Sequence, residues 1–311
     1  MPCTRSTPCN LASAISVATA AVTPPILRIL PGIYAVEGVD VQAKTSFPLR
    51  VVATDATITT SPSIRVTGGA NVEVRNITLA QGVLCGIQNT QTSRLAIADS
   101  TLLNASSIRT NSCTLDLQRT EFAGGQGISL ESKTTFTGDR LHFKPVDFTT
   151  IGAFGTNNSL MVTNSLLENT IIEFLTDDLG EPGSTFSFAF NTWVQRGRPI
   201  VCRDFNAHAH ILFEDNILVD IAPAAFPFVI DATACEVRNN ILQPQPNAPP
   251  TNIVGDPQFV DPATKNFHLK TTSPAIDKAM PSASLGTDHD FDGTARPQGT
   301  GPDIGAFELP P

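Results

Sequence analysis

Apolar and polar residues alternate in a short pattern that returns along most of the chain. The pattern is clearest in residues 72–79, which are apolar at the first, third and eighth places and carry an Asn at the fifth. Alternation with a period of two indicates a strand with one buried face, and the spacing of three or four that a helix needs is missing. Further copies lie at 95–102, 115–122, 136–143, 160–167, 211–218 and 235–242, with one that is a residue short at 188–193.

The spacing of these copies predicts a solenoid. Their fifth places fall at positions 76, 99, 119, 140, 164, 191, 215 and 239, so successive copies lie between 20 (119 − 99) and 27 (191 − 164) residues apart. Coils of about 22 residues, stacked about 4.8 Å apart, are typical of a parallel β-helix. Weaker copies at 27–32 and 49–53 extend the repeat backward. The predicted fold class is all-β, a single-stranded right-handed parallel β-helix of about ten coils.

The fifth place of each copy is predicted to be a tight bend between two strands. It is usually Asn or Asp, which tolerates the left-handed backbone conformation and can hydrogen-bond the backbone of the next coil. Stacked in register, these side chains predict a polar ladder that Arg119 and Arg140 interrupt.

Residues 10–22 have a different pattern from the rest. Leu11, Ala14 and Ile15 recur at helical spacing behind Asn10, a good N-cap, so the sequence predicts an amphipathic helix that covers the open end of the first coil. The alternative is a signal peptide, because Arg5 precedes an apolar run of small residues, although Ser and Thr interrupt that run.

These patterns divide the chain into three regions. An N-terminal cap with a short helix spans 1–25, the β-helix coils span 26–243, and a Pro-rich linker with a loop-rich C-terminal cap spans 244–311. The last region is expected to cover the apolar end of the final coil, because an uncovered end would pair with another molecule.

Composition and charge limit the kinds of partner that the protein can bind. A net charge of −9 argues against nucleic acid and against a negatively charged membrane surface, because either partner needs a basic face. No stretch reaches the roughly 18 consecutive apolar residues of a membrane span. We expect a monomer.

Six cysteines suggest three local disulfides, since neighbouring coils bring such positions within reach. An oxidising compartment follows, and with it an extracellular protein whose signal peptide has been removed. The alternative is that some are free core cysteines. The predicted pairs are Cys3 with Cys9, Cys85 with Cys113, and Cys202 with Cys235.

The C-terminal region carries a series of specific motifs. They are G-D-P-Q-F-V-D-P at 255–262, N-F-H-L at 266–269, S-P-A-I-D at 273–277, D-x-D-x-D-G at 288–293 and D-I-G-A-F-E at 303–308. This region resembles the C-terminal cap of bacterial extracellular right-handed parallel β-helix proteins, the group named for a choice-of-anchor Q domain. Residues 3–34 resemble the start of the same proteins.

The resemblance covers nearly the whole chain and implies a fold and an extracellular or cell-surface address. Most members of the group have no assigned activity, while some relatives with the fold are pectate, alginate or chondroitin lyases and epimerases. Residues 309–311 contain no sorting signal, so the resemblance leaves surface anchoring open.

A lyase needs a base beside a positive charge or Ca²⁺ that stabilises the enolate. One group of candidates lies in the long coil after Trp193, and a second candidate pair is Glu121 with His142, at the seventh place of successive coils. The alternatives are a solvated loop and a surface ion pair worth less than about 1 kcal/mol. The candidates in the long coil are Arg196, Arg198, Arg203, Asp204, His208 and His210.

Asp288, Asp290 and Asp292, followed by Gly293, match the first half of a calcium loop. The twelfth place is Gly299, so the bidentate acid is missing and Asp303 or Glu308 would have to replace it. The alternative is that the aspartates bond backbone amides and that Arg296 pairs with Asp303 or Glu308.

Two functions remain open at this point. The first is a secreted or surface β-helix module, without enzymatic activity, that interacts with a glycan or a surface. The second is a lyase or epimerase acting on a uronate-containing polysaccharide. The fold cannot decide between them, and a single Trp and a single Tyr offer few platforms for sugar stacking.

Overall fold

The computed structural model describes residues 8–42, 47–87, 91–103, 107–124, 127–144, 149–175, 183–196, 200–201, 209–221, 229–230, 235–243, 248–280 and 288–311. Helix α1 (Leu11–Thr19) comes first, and a 3₁₀ turn (Pro262–Thr264) precedes the last strand. The strands are β1 (Ile26–Ile29), β2 (Gly32–Tyr34), β3 (Val39–Val41), β4 (Leu49–Ile58), β5 (Ile64–Val66), β6 (Asn71–Leu79), β7 (Val83–Cys85), β8 (Ser93–Ala98), β9 (Thr101–Leu103), β10 (Ser107–Thr110), β11 (Cys113–Gln118), β12 (Glu121–Ala123), β13 (Gly127–Leu130), β14 (Thr135–Asp139), β15 (His142–Phe143), β16 (Thr149–Phe154), β17 (Ser159–Thr163), β18 (Leu166–Glu168), β19 (Thr170–Leu175), β20 (Thr185–Ala189), β21 (Thr192–Gln195), β22 (Ile200–Val201), β23 (His210–Glu214), β24 (Ile217–Asp220), β25 (Val229–Ile230), β26 (Glu236–Arg238), β27 (Ile241–Gln243), β28 (Ile253–Val254), β29 (Phe259–Asp261) and β30 (Asn266–Leu269).

The strands form the predicted right-handed parallel β-helix. One large sheet holds the strands on both sides of the fifth-place bend, and a second sheet of seven strands, β3, β5, β7, β10, β13, β16 and β19, completes the coils. About seven coils are therefore complete, fewer than the predicted ten. The difference arises because, in the described part of the chain, only the large sheet and the short pair β22 and β25 continue beyond β19.

The predicted bends are confirmed. The fifth-place residues Asn76, Asp99, Arg119, Arg140, Asn164, Asp215 and Asn239 all have φ between 46° and 57°. The copy predicted at 188–193 is complete and not one residue short. Register pairs Leu160 with Phe186, so this copy runs from 186 to 193 and Phe190, with φ 57°, takes the fifth place instead of Asn191. The inward-facing positions set the register, and here they override the preference for Asn at the bend.

The bonds from side chains to the backbone of a neighbouring bend come from the sixth place, one residue later than predicted. The backbone N–H of Ser165 donates to Oδ1 of Asn191 (3.0 Å), and the N–H of Asn216 donates to Oδ1 of Asn240 (2.9 Å). Asn240 in turn donates its N–H to Oδ1 of Asn252 (3.0 Å). At this place the side chain points inward, where a backbone N–H would otherwise lack a partner.

The inward places of successive coils form one continuous apolar core. Leu115, Leu117 and Phe122, at the first, third and eighth places of one copy, are buried. Equivalent side chains stack from coil to coil, and the rings of Phe122 and Phe143 lie parallel with centroids 4.2 Å apart. The alternation seen in the sequence therefore predicted the core correctly.

Helix α1 is the predicted N-terminal helix. Oδ1 of Asn10 accepts the N–H of Ser13 (2.9 Å), as expected of an N-cap. Leu11 and Ile15 on its buried face join the core of the β-helix, so the helix covers the first coil.

The C-terminal region is loop-rich, as predicted, but the buried apolar residues described from 259 onward pack against the outer side of the coils and not on the end of the solenoid. β28 adds a last strand to the large sheet, and the chain then folds back along the outer side of the coils. We call this segment, residues 256–311, the side plate. The side plate packs there because the later coils carry apolar residues at outward-facing places, and burying those residues away from water is favourable. These outward residues, buried under the side plate, are Leu166, Phe190, Val194, Ile217, Val219 and Ile241.

Candidate functional site

The outward face of the large sheet is open on the early coils, and a shallow groove crosses it there. Its floor is made by Ala96 and Ala98, which occupy outward places of β8 where the neighbouring coils carry longer side chains. The groove has a volume of about 130 Å³ and spans three coils. The polar residues that line it are Glu73, Arg75, Arg94, Asp116 and Gln118.

The acidic residues of the groove have partners. Glu73 accepts a hydrogen bond from Nε of Arg50 (3.1 Å), and Asp116 accepts one from Oγ1 of Thr137 (3.2 Å). Arg75 and Arg94 are exposed, and neither forms a salt bridge with another residue of the described ranges. Two guanidinium groups therefore face solvent beside the alanine floor.

An ion pair borders the groove at the bend. Nη2 of Arg119 donates to Oδ2 of Asp99 on the preceding coil (2.9 Å). This hydrogen bond holds the pKa of Asp99 below its usual value, although partial burial opposes the shift, and the charges of Arg119, Arg75 and Arg140 act in the same direction as the bond. A second depression of about 380 Å³ lies along the bend and is lined in part by Asp55, Asn76 and Thr101.

The predicted pair Glu121 and His142 is adjacent in register on β12 and β15, but the two side chains bond other groups. Glu121 accepts from Nζ of Lys144 (2.9 Å). Nε2 of His142 lies 3.2 Å from Oε1 of Glu168, whose other oxygen accepts from Nζ of Lys265 in the side plate (2.7 Å). We call these five residues the seam cluster, since it lies where the side plate meets the open face.

Glu168 anchors the seam cluster. Burial by itself would raise the pKa of this carboxyl, but the hydrogen bonds from His142 and Lys265 outweigh it and leave the pKa below its ordinary value. Glu168 is thus a carboxylate that fixes the orientation of the His142 ring. The ring of Phe291 meets His142 edge-on, with centroids 5.7 Å apart.

Most of the candidates predicted in the long coil lie outside the described residues, namely Arg198, Arg203, Asp204 and His208. Arg196 is exposed. Nε2 of His210 lies 3.4 Å from Glu236, and both side chains are largely solvent-accessible. His210 is therefore part of a surface pair on the outer side of β23.

The three aspartates of the predicted calcium loop bond to separate partners. Asp290 is buried and accepts the N–H groups of Thr294 (2.6 Å) and Glu308 (2.9 Å). Asp288 contacts His289, and Asp292 contacts His268 at 2.7 Å. Within the described ranges no group of three metal-ligating side chains comes together.

At Asp290 and Arg296 the contacts match the alternative interpretation, in which backbone amides bond the aspartate and Arg296 pairs with an acidic residue. The oxygens of Asp290 accept backbone amides, and Nη1 of Arg296 donates to Oε2 of Glu308 (2.9 Å), with both side chains almost fully buried. Arg296 also donates to the carbonyl oxygens of Asp303 and Gly305. The loop therefore organises the side plate, and calcium binding stays a prediction.

The disulfide between Cys85 and Cys113 is confirmed and joins β7 to β11. Cys9 and Cys235 are disulfide-bonded as well, while their predicted partners, Cys3 and Cys202, lie outside the described residues. Trp193 is buried, as its eighth place predicted, and its Nε1 donates to the carbonyl oxygen of Thr170 (3.2 Å).

The groove was missed by the sequence reasoning, although a signal for it exists. The second and fourth places of the copy at 95–102 are both Ala, whereas the copies on either side carry Glu73 and Arg75, or Asp116 and Gln118. Two small outward residues between long ones predict a depression.

Comparison with known proteins supports the fold. No protein-family profile matches the sequence, and no curated protein is significantly similar to it. The structure resembles the crystal structure of pectate lyase Pel9A with a TM-score of 0.50 and 12% sequence identity, over 98% of this chain and 92% of the other. The chain is thus a pectate-lyase-like parallel β-helix, and at this identity the likeness concerns the fold alone.

No helix in the described part of the chain combines the length and the apolar character that crossing a bilayer requires.

Proposed function

We propose that the chain is an extracellular, non-enzymatic β-helix module that binds a glycan along the open outward face of its large sheet. The observation that carries the proposal is the groove over Ala96 and Ala98. It offers a concave strip across three coils, and neighbouring coils place polar side chains along it at intervals of about 4.8 Å. An extended oligosaccharide can contact several of these side chains at once.

Arg75 and Arg94 supply the strongest contacts in this proposal. A guanidinium group presents a planar fork of N–H donors that matches a carboxylate or sulfate group and also hydrogen-bonds sugar hydroxyls. Because neither arginine is neutralised by a salt bridge with another described residue, ligand binding breaks no ion pair of theirs. Asp116 and Gln118 add hydrogen-bonding groups on the other side of the floor.

The extracellular location is part of the proposal. The disulfide of Cys85 with Cys113 supports it, since disulfides persist in oxidising compartments. The resemblance of the C-terminal motifs to the choice-of-anchor Q group supports the same address. We expect the module to act as a monomer.

The test is binding of oligosaccharides from pectin, alginate and glycosaminoglycans, measured by calorimetry. We expect binding to at least one of them to weaken at least tenfold in the double variant Arg75→Ala/Arg94→Ala. The matched control is Arg65→Ala/Arg109→Ala, which removes the same charge from the outward face of the second sheet. Absence of binding to every glycan, or equal losses in both double variants, would refute the proposed site.

The seam cluster favours a second candidate function, a lyase for uronate-containing polysaccharide. His142 and Lys144 stand two residues apart on the same outward face, and Glu168 orients the imidazole. This combination supplies a base and a neighbouring cation, which abstraction of a proton beside a carboxylate needs. Ultraviolet absorbance of the unsaturated product tests it. Turnover that His142→Ala abolishes, and that Glu121→Gln leaves intact, would favour the lyase over the binding module.

A further inference from the structure

Asp215 connects the solenoid to two separate segments of the side plate. It occupies the fifth-place bend between β23 and β24 and is completely buried. Its Oδ1 accepts the N–H of Met280 (3.0 Å), and its backbone oxygen accepts the N–H of Gly305 (2.9 Å). The side-chain amide of Asn239 on the next coil donates to the same Oδ1. Two segments of the side plate, at Met280 and at Gly305, are thus both hydrogen-bonded to Asp215.

The second carboxylate oxygen of Asp215 is not satisfied. Oδ2 is buried and has no hydrogen-bond partner in the described part of the protein. A buried anionic oxygen without a partner is costly, whereas the protonated group is neutral and less costly to bury. The arrangement therefore favours the protonated acid over the carboxylate.

The charged groups around Asp215 do not remove this cost. Glu214, its neighbour on β23, opposes ionisation, and Arg238 on β26 favours it, although that guanidinium is already bonded to Glu214 (2.7 Å). From the side plate the segment 278–280 contributes the N–H of Met280 and one charged residue, Lys278. Burial is the dominant effect and raises the pKa of Asp215 to about 6.

We infer that the side plate is a pH-sensitive latch that holds the coils firmly at mildly acidic pH and loosens as the pH rises to neutral. The sign follows from linkage. A carboxyl with a higher pKa when docked than when exposed favours docking below its ordinary pKa, and this contribution is lost as the pH rises through the docked value. Loosening exposes the apolar strip of β18, β21 and β24, so the open outward face becomes longer at neutral pH.

Other titratable contacts cross the same boundary and are separable from Asp215. Nε2 of His289 lies 3.0 Å from Asp139, and this pair also gains strength when the histidine is protonated. Glu168, which accepts from Nζ of Lys265, stays ionised over the same range, because its pKa lies below its ordinary value. Within the plate, burial raises the pKa values of Asp303 and Glu308. Variants of single residues distinguish these contributions.

Hydrogen exchange of the full chain, corrected for the intrinsic effect of pH, is the test. In the wild type we expect the opening constant of peptides covering 275–280 and 303–308 to increase roughly tenfold from about pH 5 to about pH 7.5. In Asp215→Asn, which keeps the shape and removes the charge, this increase should disappear. Asp215→Ser serves as a second variant if the first does not fold.

His289→Gln is the matched control and should keep most of the pH dependence. Three outcomes would overturn the latch. These are opening that does not change with pH in the wild type, opening with the same pH dependence in both Asp215 variants, or pH dependence that only His289→Gln removes.

Discussion

Oδ1 of Asn216 accepts hydrogen bonds from both the backbone N–H and the side-chain amide of Asn191, each at 3.0 Å. The two residues occupy the sixth place of successive coils. Nδ2 of Asn216 donates in turn to the carbonyl oxygen of Phe188 on the earlier coil (2.8 Å). In the last three copies, an asparagine at this place thus satisfies backbone groups where the chain turns and the regular strand ladder is interrupted.

Replacing Asn216 with Ala should destabilise the solenoid strongly. The change removes the acceptor of the buried N–H of Asn191 and a donor to the carbonyl oxygen of Phe188, and each such loss costs about 1 to 3 kcal/mol. We expect the free energy of unfolding in guanidinium to fall by about 3 kcal/mol or more. Asn76→Gly is the control, because it changes an exposed Asn with positive φ to the residue that best tolerates that conformation. Similar effects of the two changes would contradict the importance of the inward ladder.

Gly305→Ala should detach the side plate. Gly305 has φ +98°, and a Cβ there would lie 2.6 Å from Cδ1 of Ile217 on the solenoid. Overpacking of this kind costs about 1 to 3 kcal/mol, and the backbone conformation adds strain. Limited proteolysis should cut the plate of the variant sooner than that of the wild type.

Gly255→Ala is the matched control for this change, since a Cβ at Gly255 has no atom within 4 Å. Adding Ile217→Ala to Gly305→Ala should restore part of the protection. Equal cleavage of the Gly305 and Gly255 variants would show that the contact with Ile217 does not hold the plate.

Glu168→Gln should lower stability at neutral pH but not in strong acid. The pKa of Glu168 is lowered in the folded protein, so its contribution is present above the ordinary pKa and is lost as the pH falls through the folded value. We expect a loss of about 1 to 2 kcal/mol at pH 7 that vanishes near pH 2, measured by denaturation across this range. Glu121→Gln removes a more exposed lysine pair and should cost less than about 0.5 kcal/mol. A loss that persists undiminished at low pH would contradict the assignment.

Removing the disulfide in Cys85→Ala/Cys113→Ala should destabilise the early coils. The bridge closes a segment with a sequence separation of 28 residues, for which the restriction of the unfolded chain is worth about 3 to 4 kcal/mol. Chemical denaturation of the double variant, compared with the wild type under oxidising and reducing conditions, measures this contribution. If the denaturation midpoint does not change, the stacking of the coils holds both positions in place without the disulfide.

The repeat in the sequence predicted the solenoid because each coil buries the same places. The first, third and eighth places must be apolar wherever a strand packs on the common core, as in Leu115, Leu117 and Phe122. The bends were predictable for a similar reason, since positive φ favours Asn and Asp. Phe190 escaped the prediction because the register of the inward residues, and not its own preference, places it at a bend.

The position of the side plate was decided only by tertiary structure, although the sequence holds a trace of it. The early copies alternate apolar and polar places, whereas Ile217, Leu218 and Val219 are apolar in succession, which is typical of a strand buried on both faces. Such a run shows that something covers the outer face but not what covers it.

The sequence by itself determined the fold, because a repeat fixes the contacts of each coil with the next through local periodicity. The seam cluster and the environment of Asp215 depend on contacts between residues far apart in the chain, such as Asp215 with Met280 and Gly305. Such contacts carry no periodic signal, since each occurs once and is set by how the side plate packs. The seam cluster and the environment of Asp215 therefore emerged only when the coils and the plate were brought together in three dimensions.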